Sequence, residues 1–258
     1  MENEVFFNIS LLITHYNRSS SLERLLHVLK FQDVTFAKII VSDDGSEAEH
    51  LKRLQELNNE FSFQLITTKK NMGLGNNINK GQKAIKSTYT LYVQEDFVPL
   101  PCFKDALKNA ESLLDSRPDL DIARFYAYFK YPYLKPFKNG FSEMTFTPNI
   151  IYFNYRKFYM YSDHPHLRRS NFLEKFGNYP EGIKGDATEY RMMMNFLQQK
   201  GKGIFYEDFK GLFDQVNSET EPSTMKRNSL RNSDNFLIEA IRNLYRHMKF
   251  NFDYHFSK

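Results

Sequence analysis

The sequence predicts an α/β protein built on a mainly parallel central sheet, and three observations predict it. Short apolar runs at 8–14, 37–42, 63–67 and 89–94 alternate with segments whose apolar residues recur at helical spacing. The connections between them are short, which favours right-handed β-α-β crossovers. Two of the runs end abruptly in acidic residues, Asp43-Asp44 and Glu95-Asp96. Buried parallel strands read as such runs, and in open α/β sheets ligands bind just past their carboxyl ends.

The elements follow in order. The first strand spans 8–14. Ser20-Ser21-Leu22-Glu23 has capping-box spacing, and Leu22, Leu25, Leu26 and Leu29 form an apolar stripe behind it. The second strand covers 37–42, and 47–59 is a helix with Leu51, Leu54 and Leu57 turned inward. A third strand at 63–67, a helix at 76–85, a fourth strand at 89–94 and a helix at 104–116 that stops before Pro118 complete the regular part. Beyond Ile122 the pattern loosens. Residues 126–146 are dense in aromatics, Pro and Lys, 150–153 reads as a strand, 169–176 and 188–199 as helices, and 201–206 as a late strand. Residues 217–231 read as a polar loop, and a final helix runs from about 234 to 250. No repeat and no linker interrupts the chain. It reads as one domain over 1–258, with a nucleotide-binding half at 1–100, an acceptor and catalytic half at 101–215, and a loop and helix at 216–258.

Of the 258 residues, 41% are hydrophobic and 26% charged, as in ordinary soluble globular proteins. Aromatic residues reach 16%, many of them between Phe125 and Phe158. A single cysteine, Cys102, allows no internal disulfide and suits a reducing compartment. The start, Met1-Glu2-Asn3-Glu4, lacks the basic region of a signal peptide, and no run approaches the roughly 20 apolar residues that span a bilayer. The expectation is a soluble, cytoplasmic protein. A net charge of +4 suits a phosphorylated substrate, an anionic membrane surface or nucleic acid. No zinc-ligand spacing, Walker loop or RNA-binding signature is present, so nucleic acid is not an expected partner.

Four carboxylates around one crevice repel each other unless something positive sits among them. A divalent cation carrying a nucleotide diphosphate answers that need, because hard cations take oxygen ligands and share them with phosphates. The plainer alternative is two unrelated acidic turns, since Asp-Asp-Gly-Ser is a good turn sequence. An Asp carboxylate also accepts from the imide N–H of uracil or thymine, so Asp43 or Asp44 could select those bases.

Five motifs then stand in one order. They are Ile13-Thr14-His15-Tyr16-Asn17-Arg18, Val41-Ser42-Asp43-Asp44-Gly45-Ser46, the segment from Asn71 to Gly81 with Gly73 and Gly75, Gln94-Glu95-Asp96, and Gly185-Asp186-Ala187-Thr188-Glu189-Tyr190-Arg191. Together they resemble the family 2 glycosyltransferases of GT-A fold, over roughly 8–206. The resemblance implies a Rossmann-like three-layer sandwich with a C-terminal helical extension. It implies an inverting transfer of a sugar from a UDP- or dTDP-type donor to a glycan or lipid-linked acceptor, in a setting such as polysaccharide biosynthesis. It places Thr14, Tyr16, Asn17 and Arg18 on the base and ribose, and one of Asp43 and Asp44 on the base. Asn71, Gly73, Asn79 and Glu95 then join the donor site. Asp96 matches the last Asp of the family's Asp-x-Asp, a ligand for Mg²⁺ or Mn²⁺, while Gln94 departs from its first. Asp186 falls at the general base, with Glu189 and Glu181 as rivals. Where many GT-A enzymes supply a late metal ligand, often histidine, this chain offers Asp214.

Three further features carry expectations. Arg168 and Arg169 could meet phosphates, and His164 or His166 could lie near the acceptor. The tail from Asn235 to Tyr254 is apolar and basic, suited either to packing on the domain or to peripheral contact with an anionic membrane. Two other readings stay open: a nucleotidyltransferase, although no Gly-rich phosphate loop follows the first strand, and a non-catalytic nucleotide- or glycan-binding protein of the same fold.

Overall fold

The computed structural model describes residues 4–217, 221 and 236–256. Four parallel strands open the sheet: β1 (Glu4–His15), β2 (Val34–Asp43), β3 (Gln64–Ile66) and β4 (Tyr89–Gln94), ordered β3-β2-β1-β4. Leu11, Leu12 and Ile13 are all fully buried although they alternate between faces, because helices cover the sheet on both sides.

On one face, α1 (Ser19–Phe31), α2 (Ala48–Phe61) and α4 (Phe103–Ser116) pack Leu25, Leu54 and Leu107 onto Leu11, Ile13, Leu91 and Val93. On the other, α3 (Leu74–Lys83), α5 (Phe172–Phe176), α6 (Gly185–Gln198) and α7 (Phe236–Phe256) surround Leu12, Ile40 and Tyr92 with Ile78, Phe172, Phe196 and Phe250. Each such side chain stabilises the fold by roughly 1.5–3 kcal/mol. The result is the three-layer α/β arrangement expected.

The second half adds β6 (Ile122–Arg124), β7 (Leu134–Lys138), β8 (Phe141–Met144), β9 (His166–Arg169) and β10 (Gly203–Tyr206), giving the nine-strand order β3-β2-β1-β4-β9-β6-β10-β8-β7. The pairings of β9 with β4 and β6, and of β8 with β10 and β7, are antiparallel, so only β8 and β9 run against the rest. A separate ribbon pairs β5 (Phe97–Pro99) with β11 (Phe213–Gln215).

Several expectations are corrected. Residues 150–153 form an exposed turn rather than a strand. The predicted helix at 169–176 begins only at Phe172, because Arg169 ends β9. Neither arginine of that strand faces a phosphate site. Arg168 is fully buried, donating to the Tyr179 hydroxyl at 2.6 Å and Gln82 Oε1 at 2.8 Å, with its guanidinium 4.8 Å from the centre of the Phe172 ring. Arg169 donates to the carbonyls of Leu114 and Arg117 at the C-terminal end of α4, where a cation meets the helix dipole. The capping box at Ser20 does not form. Glu221 instead accepts from the Ser20 and Ser21 N–H groups at 2.8 and 2.9 Å, while Glu23 pairs with Arg53. The loop expected at 217–231 lies, apart from Asn217 and Glu221, outside the described residues. The last helix extends to Phe256.

Candidate active site

The ends of β1, β2 and β4 lie side by side because these strands are neighbours in register, His15 opposite Asp43 and Thr14 opposite Gln94. Thr14 is buried, its hydroxyl 3.1 Å from that of Tyr92, and Tyr16 is partly exposed. Asn17 takes a left-handed backbone, φ 51°, which Asn tolerates better than most residues. It ties two loops together, donating its N–H to Ser46 Oγ and accepting from the Glu47 N–H at 2.8 Å each.

The two strand-end aspartates differ sharply. Asp43 Oδ1 lies 2.8 Å from His15 Nδ1, and Oδ2 accepts from the Gly45 and Ser46 N–H groups and the Thr67 hydroxyl. The Arg18 N–H donates to His15 Nε2, so Nδ1 carries the imidazole proton and donates to Asp43. Burial works to raise the Asp43 pKa, but the hydrogen bonds from His15, Ser46 and Thr67 outweigh it and hold the carboxylate well below its usual range. Among the described residues Asp44 accepts from two donors, the Met72 and Gly73 N–H groups at 2.8 Å each. Burial raises its pKa against those bonds and the nearby charge of Lys80. Asp43 is therefore spent on the turn, whereas Asp44 keeps a spare lone pair on each oxygen.

Asp44 thereby binds the segment that begins at Asn71, whose own side chain accepts from the Gly73 N–H. Gly73 has φ 88°, a conformation that costs other residues, and it turns the chain into α3. Two residues on, a methyl at Gly75 would sit 2.2 Å from the Pro180 carbonyl oxygen, so only glycine lets α3 approach the loop before α6. Asn79 is buried and holds that loop, donating to the Tyr179 carbonyl and Glu181 and accepting from the Tyr179 N–H.

At the end of β4, Asp96 and Glu95 are both buried. Asp96 Oδ2 lies 3.2 Å from the Arg18 guanidinium and accepts from Gln215 at 2.9 Å. Burial, then the neighbouring Asp96 charge, pushes Glu95 up to about 8, against the pull of Arg18. Among the described residues no three His, Cys, Asp or Glu converge on one point. Yet Asp96 Oδ1 is buried with no hydrogen-bond partner among the described residues, and an orphaned carboxylate oxygen fits a cation whose other ligands come from phosphate and water. Asp214, the expected late ligand, is exposed, and its neighbour Gln215 is the residue that reaches Asp96. The side chain of Gln94 donates to the Asp163 carbonyl. Gln215 and Asp163 escaped the sequence reading, because their contacts come from pairings distant along the chain.

The three candidate bases sit differently. Asp186 is exposed in the first turn of α6, whose start abuts Leu74 at the head of α3. Glu189 is one turn deeper and accepts from the Asp163 N–H at 3.1 Å. Glu181 is held by Asn76 and Asn79, which lower its pKa. His164 and His166 are kept neutral by burial, His164 down to about 3.

Burial and then the charge of Glu189 raise the Asp163 pKa, and Tyr161 and Arg168 oppose that shift only in part. The folded protein thus holds a proton that the unfolded chain releases above about pH 4, so this group's stabilisation is present in acid and lost as pH rises through its raised pKa. Asp163→Asn mimics the protonated form. Its melting temperature, measured from about pH 5 to pH 9, is expected to fall less with rising pH than the parent's and to exceed the parent's at the alkaline end.

The family model "Glycosyl transferase family 2" matches residues 10–177. A cholesterol galactosyltransferase of Borreliella burgdorferi is 28% identical over 138 residues, covering 52% of this chain and 38% of that protein. The chain thus spans well under half the length of this curated relative. Among solved structures, S. aureus TarS 1–349 in complex with UDP-GlcNAc is similar with a TM-score of 0.63 at 18% identity, over 96% of this chain and 73% of that one. Mannosyltransferase PcManGT from Pyrobaculum calidifontis, in complex with GDP-Man and Mn²⁺, is similar with a TM-score of 0.57 at 14% identity, over 94% and 63%. At such identities the likeness is one of fold.

Proposed function

The chain belongs to glycosyl transferase family 2 and has the fold of GT-A enzymes; on that premise we propose that it is an inverting glycosyltransferase using a UDP- or dTDP-type sugar donor and a lipid-linked or glycan acceptor. The observation that carries the reading is the pair of carboxylates at the β2 and β4 ends: Asp44 keeps accepting capacity beyond the Met72 and Gly73 N–H groups, and Asp96, whose Oδ1 is orphaned, lies 3.2 Å from the buried Arg18. The curated relative, a cholesterol galactosyltransferase, supports a hexose donor and a lipid acceptor.

In this reading Asp44 uses a spare lone pair to accept the imide N–H of uracil or thymine. Thr14, Tyr16 and Asn17 wall the base and ribose, and Asn71 and Gly73 lie along the donor. Arg18 turns from its carboxylate partners towards the diphosphate. Mg²⁺ or Mn²⁺ held by Asp96, when bound, supplies positive charge that stabilises the departing diphosphate. Asp186 takes the proton of the acceptor hydroxyl as its oxygen attacks the anomeric carbon, and the bond to the diphosphate oxygen breaks. Gln215, the neighbour of the expected late ligand Asp214, donates to Asp96 and holds its carboxylate in position.

The test is UDP release across a panel of sugar nucleotides, with Mn²⁺ or with chelator, and with lipid-linked and free glycan acceptors. Acceptor-dependent release with one donor supports the proposal. Tight donor binding without release under any condition would identify a non-catalytic binding protein. Base selection has its own check. The parent is expected to bind UDP at least tenfold more tightly than CDP, and Asp44→Ala to erase that preference, because a site built around one buried hydrogen bond rejects a base that lacks its donor. Equal calorimetric affinities of the parent for both nucleotides would remove Asp44 from the base.

A further inference from the structure

α7 is apolar on two opposite faces. Its inner face carries Phe250 and Tyr254 into the core beside Phe158. Its outer face carries Ile241, Leu244, Tyr245, Met248, Phe252 and Phe256, which are 48–73% exposed. At about 100° per residue these six fall within roughly 120° of arc, away from the inner stripe. The exposed turn from Ile150 to Phe153 lies against the same helix. The Ile150 carbonyl is 2.9 Å from His247 Nε2, and the Phe153 ring is 4.4 Å from the His247 ring. All four residues of that turn are large, apolar and 50–82% exposed. Among the described residues, eleven of the fifteen exposed large apolar side chains belong to these two adjoining elements. Singly scattered apolar side chains are normal on a surface, whereas a contiguous patch of this kind marks an interaction site.

Charge decides between occupants. Segment 226–249 carries six Lys or Arg against two Asp or Glu, an excess equal to the whole chain's formal net charge of +4. On α7, Arg242, Arg246 and Lys249 share one flank of the outer stripe by helical spacing, a flank that also holds Asp253, which pairs with Lys249, so the helix's surplus of positive charge there rests on the two arginines. Two copies of such a face would oppose like charge to like charge. An anionic bilayer surface instead accepts the apolar stripe among its acyl chains and the basic flank at its headgroups, with Tyr152 and Tyr245 suited to the boundary. The same helix is fastened to the catalytic half, since the Tyr190 hydroxyl of α6 donates to Asp253 and Gln198 of α6 to the Asp253 and Tyr254 carbonyls.

We propose that the outer face of α7 and the turn from Ile150 to Phe153 together form one docking surface for an anionic lipid bilayer, which holds α6 and the crevice at its head towards acceptors in that membrane. The orientation rests on the glycosyltransferase reading. The docking does not, and its test needs neither donor nor turnover. The full chain is floated with vesicles of phosphatidylcholine, with and without phosphatidylglycerol, at low and high salt. The parent is expected to float with the anionic vesicles and to be partly released by salt. Ile151→Glu and Tyr245→Glu, placed on the two elements separately, are each expected to lower that partitioning at least tenfold, with melting temperatures close to the parent's because both side chains are exposed. Failure of the parent to float, or undiminished flotation of both variants, would overturn the proposal. Concentration-dependent dimers in light scattering that both variants dissolve would also overturn it and make a second copy the occupant.

Discussion

Asp186→Asn is expected to lower turnover by at least two orders of magnitude while leaving donor binding and melting temperature near the parent's. Removing a general base costs on the order of 10² to 10⁴ in rate, and a hundredfold loss corresponds to about 2.7 kcal/mol of transition-state stabilisation. The substitution is nearly isosteric, and Asp186 is exposed, so little packing is disturbed. The control lies in its two rivals. Glu189→Gln alters a group whose oxygen accepts the Asp163 N–H, and Glu181→Gln one that holds Asn76 and Asn79. Both are expected to touch stability before rate. Single-turnover kinetics of the three variants rank them. If Glu189→Gln abolishes transfer while Asp186→Asn does not, the base lies one turn deeper in the crevice. A large drop in the melting temperature of Asp186→Asn would instead reveal a residue that caps α6.

The second large effect falls on the cation. Calorimetry of UDP with the parent is expected to show binding that Mn²⁺ strengthens, and Asp96→Asn is expected to lose at least tenfold of that gain, about 1.4 kcal/mol. Among the described residues the buried Asp96 Oδ1 has no hydrogen-bond partner, and in the proposed reading it meets the cation, which a neutral amide replaces poorly. The variant's melting temperature is measured alongside, because the substitution also takes a counter-charge from the buried Arg18, 3.2 Å away. The Asp96 charge is one of the causes that raise Glu95, so its removal lets Glu95 ionise more readily and take up the charge of Arg18 in part. An equal Mn²⁺-dependent gain in parent and variant would remove Asp96 from the site and leave its carboxylate as a partner of Arg18 and Gln215 alone.

The sequence by itself determined the parallel half of the sheet and the address of the crevice. Strands buried on both faces must be apolar throughout, so β1, β2 and β4 were legible as runs. Their acidic ends were legible because charge cannot continue inside such a strand. The short chain-local crossovers made the neighbours of these strands inferable as well. Only the tertiary structure decided the rest. β9 escaped notice because two of its four residues are arginines, and nothing local says that Arg168 will be buried against Tyr179, Gln82 and Phe172. The run at 150–153 was misread because an apolar stretch carries the same signal whether it enters a core or lies exposed beside a helix. Asp43 and Asp44 are chemically identical in the sequence. They part only when His15, Ser46 and Thr67 saturate one, while two backbone N–H groups leave the other with capacity to spare. Gln215 reaches Asp96 across 119 residues of chain. Periodicity reports which face of a local element is apolar. It carries no information about which distant polar group will meet that element, and at this crevice the partner of each carboxylate is what sets its role.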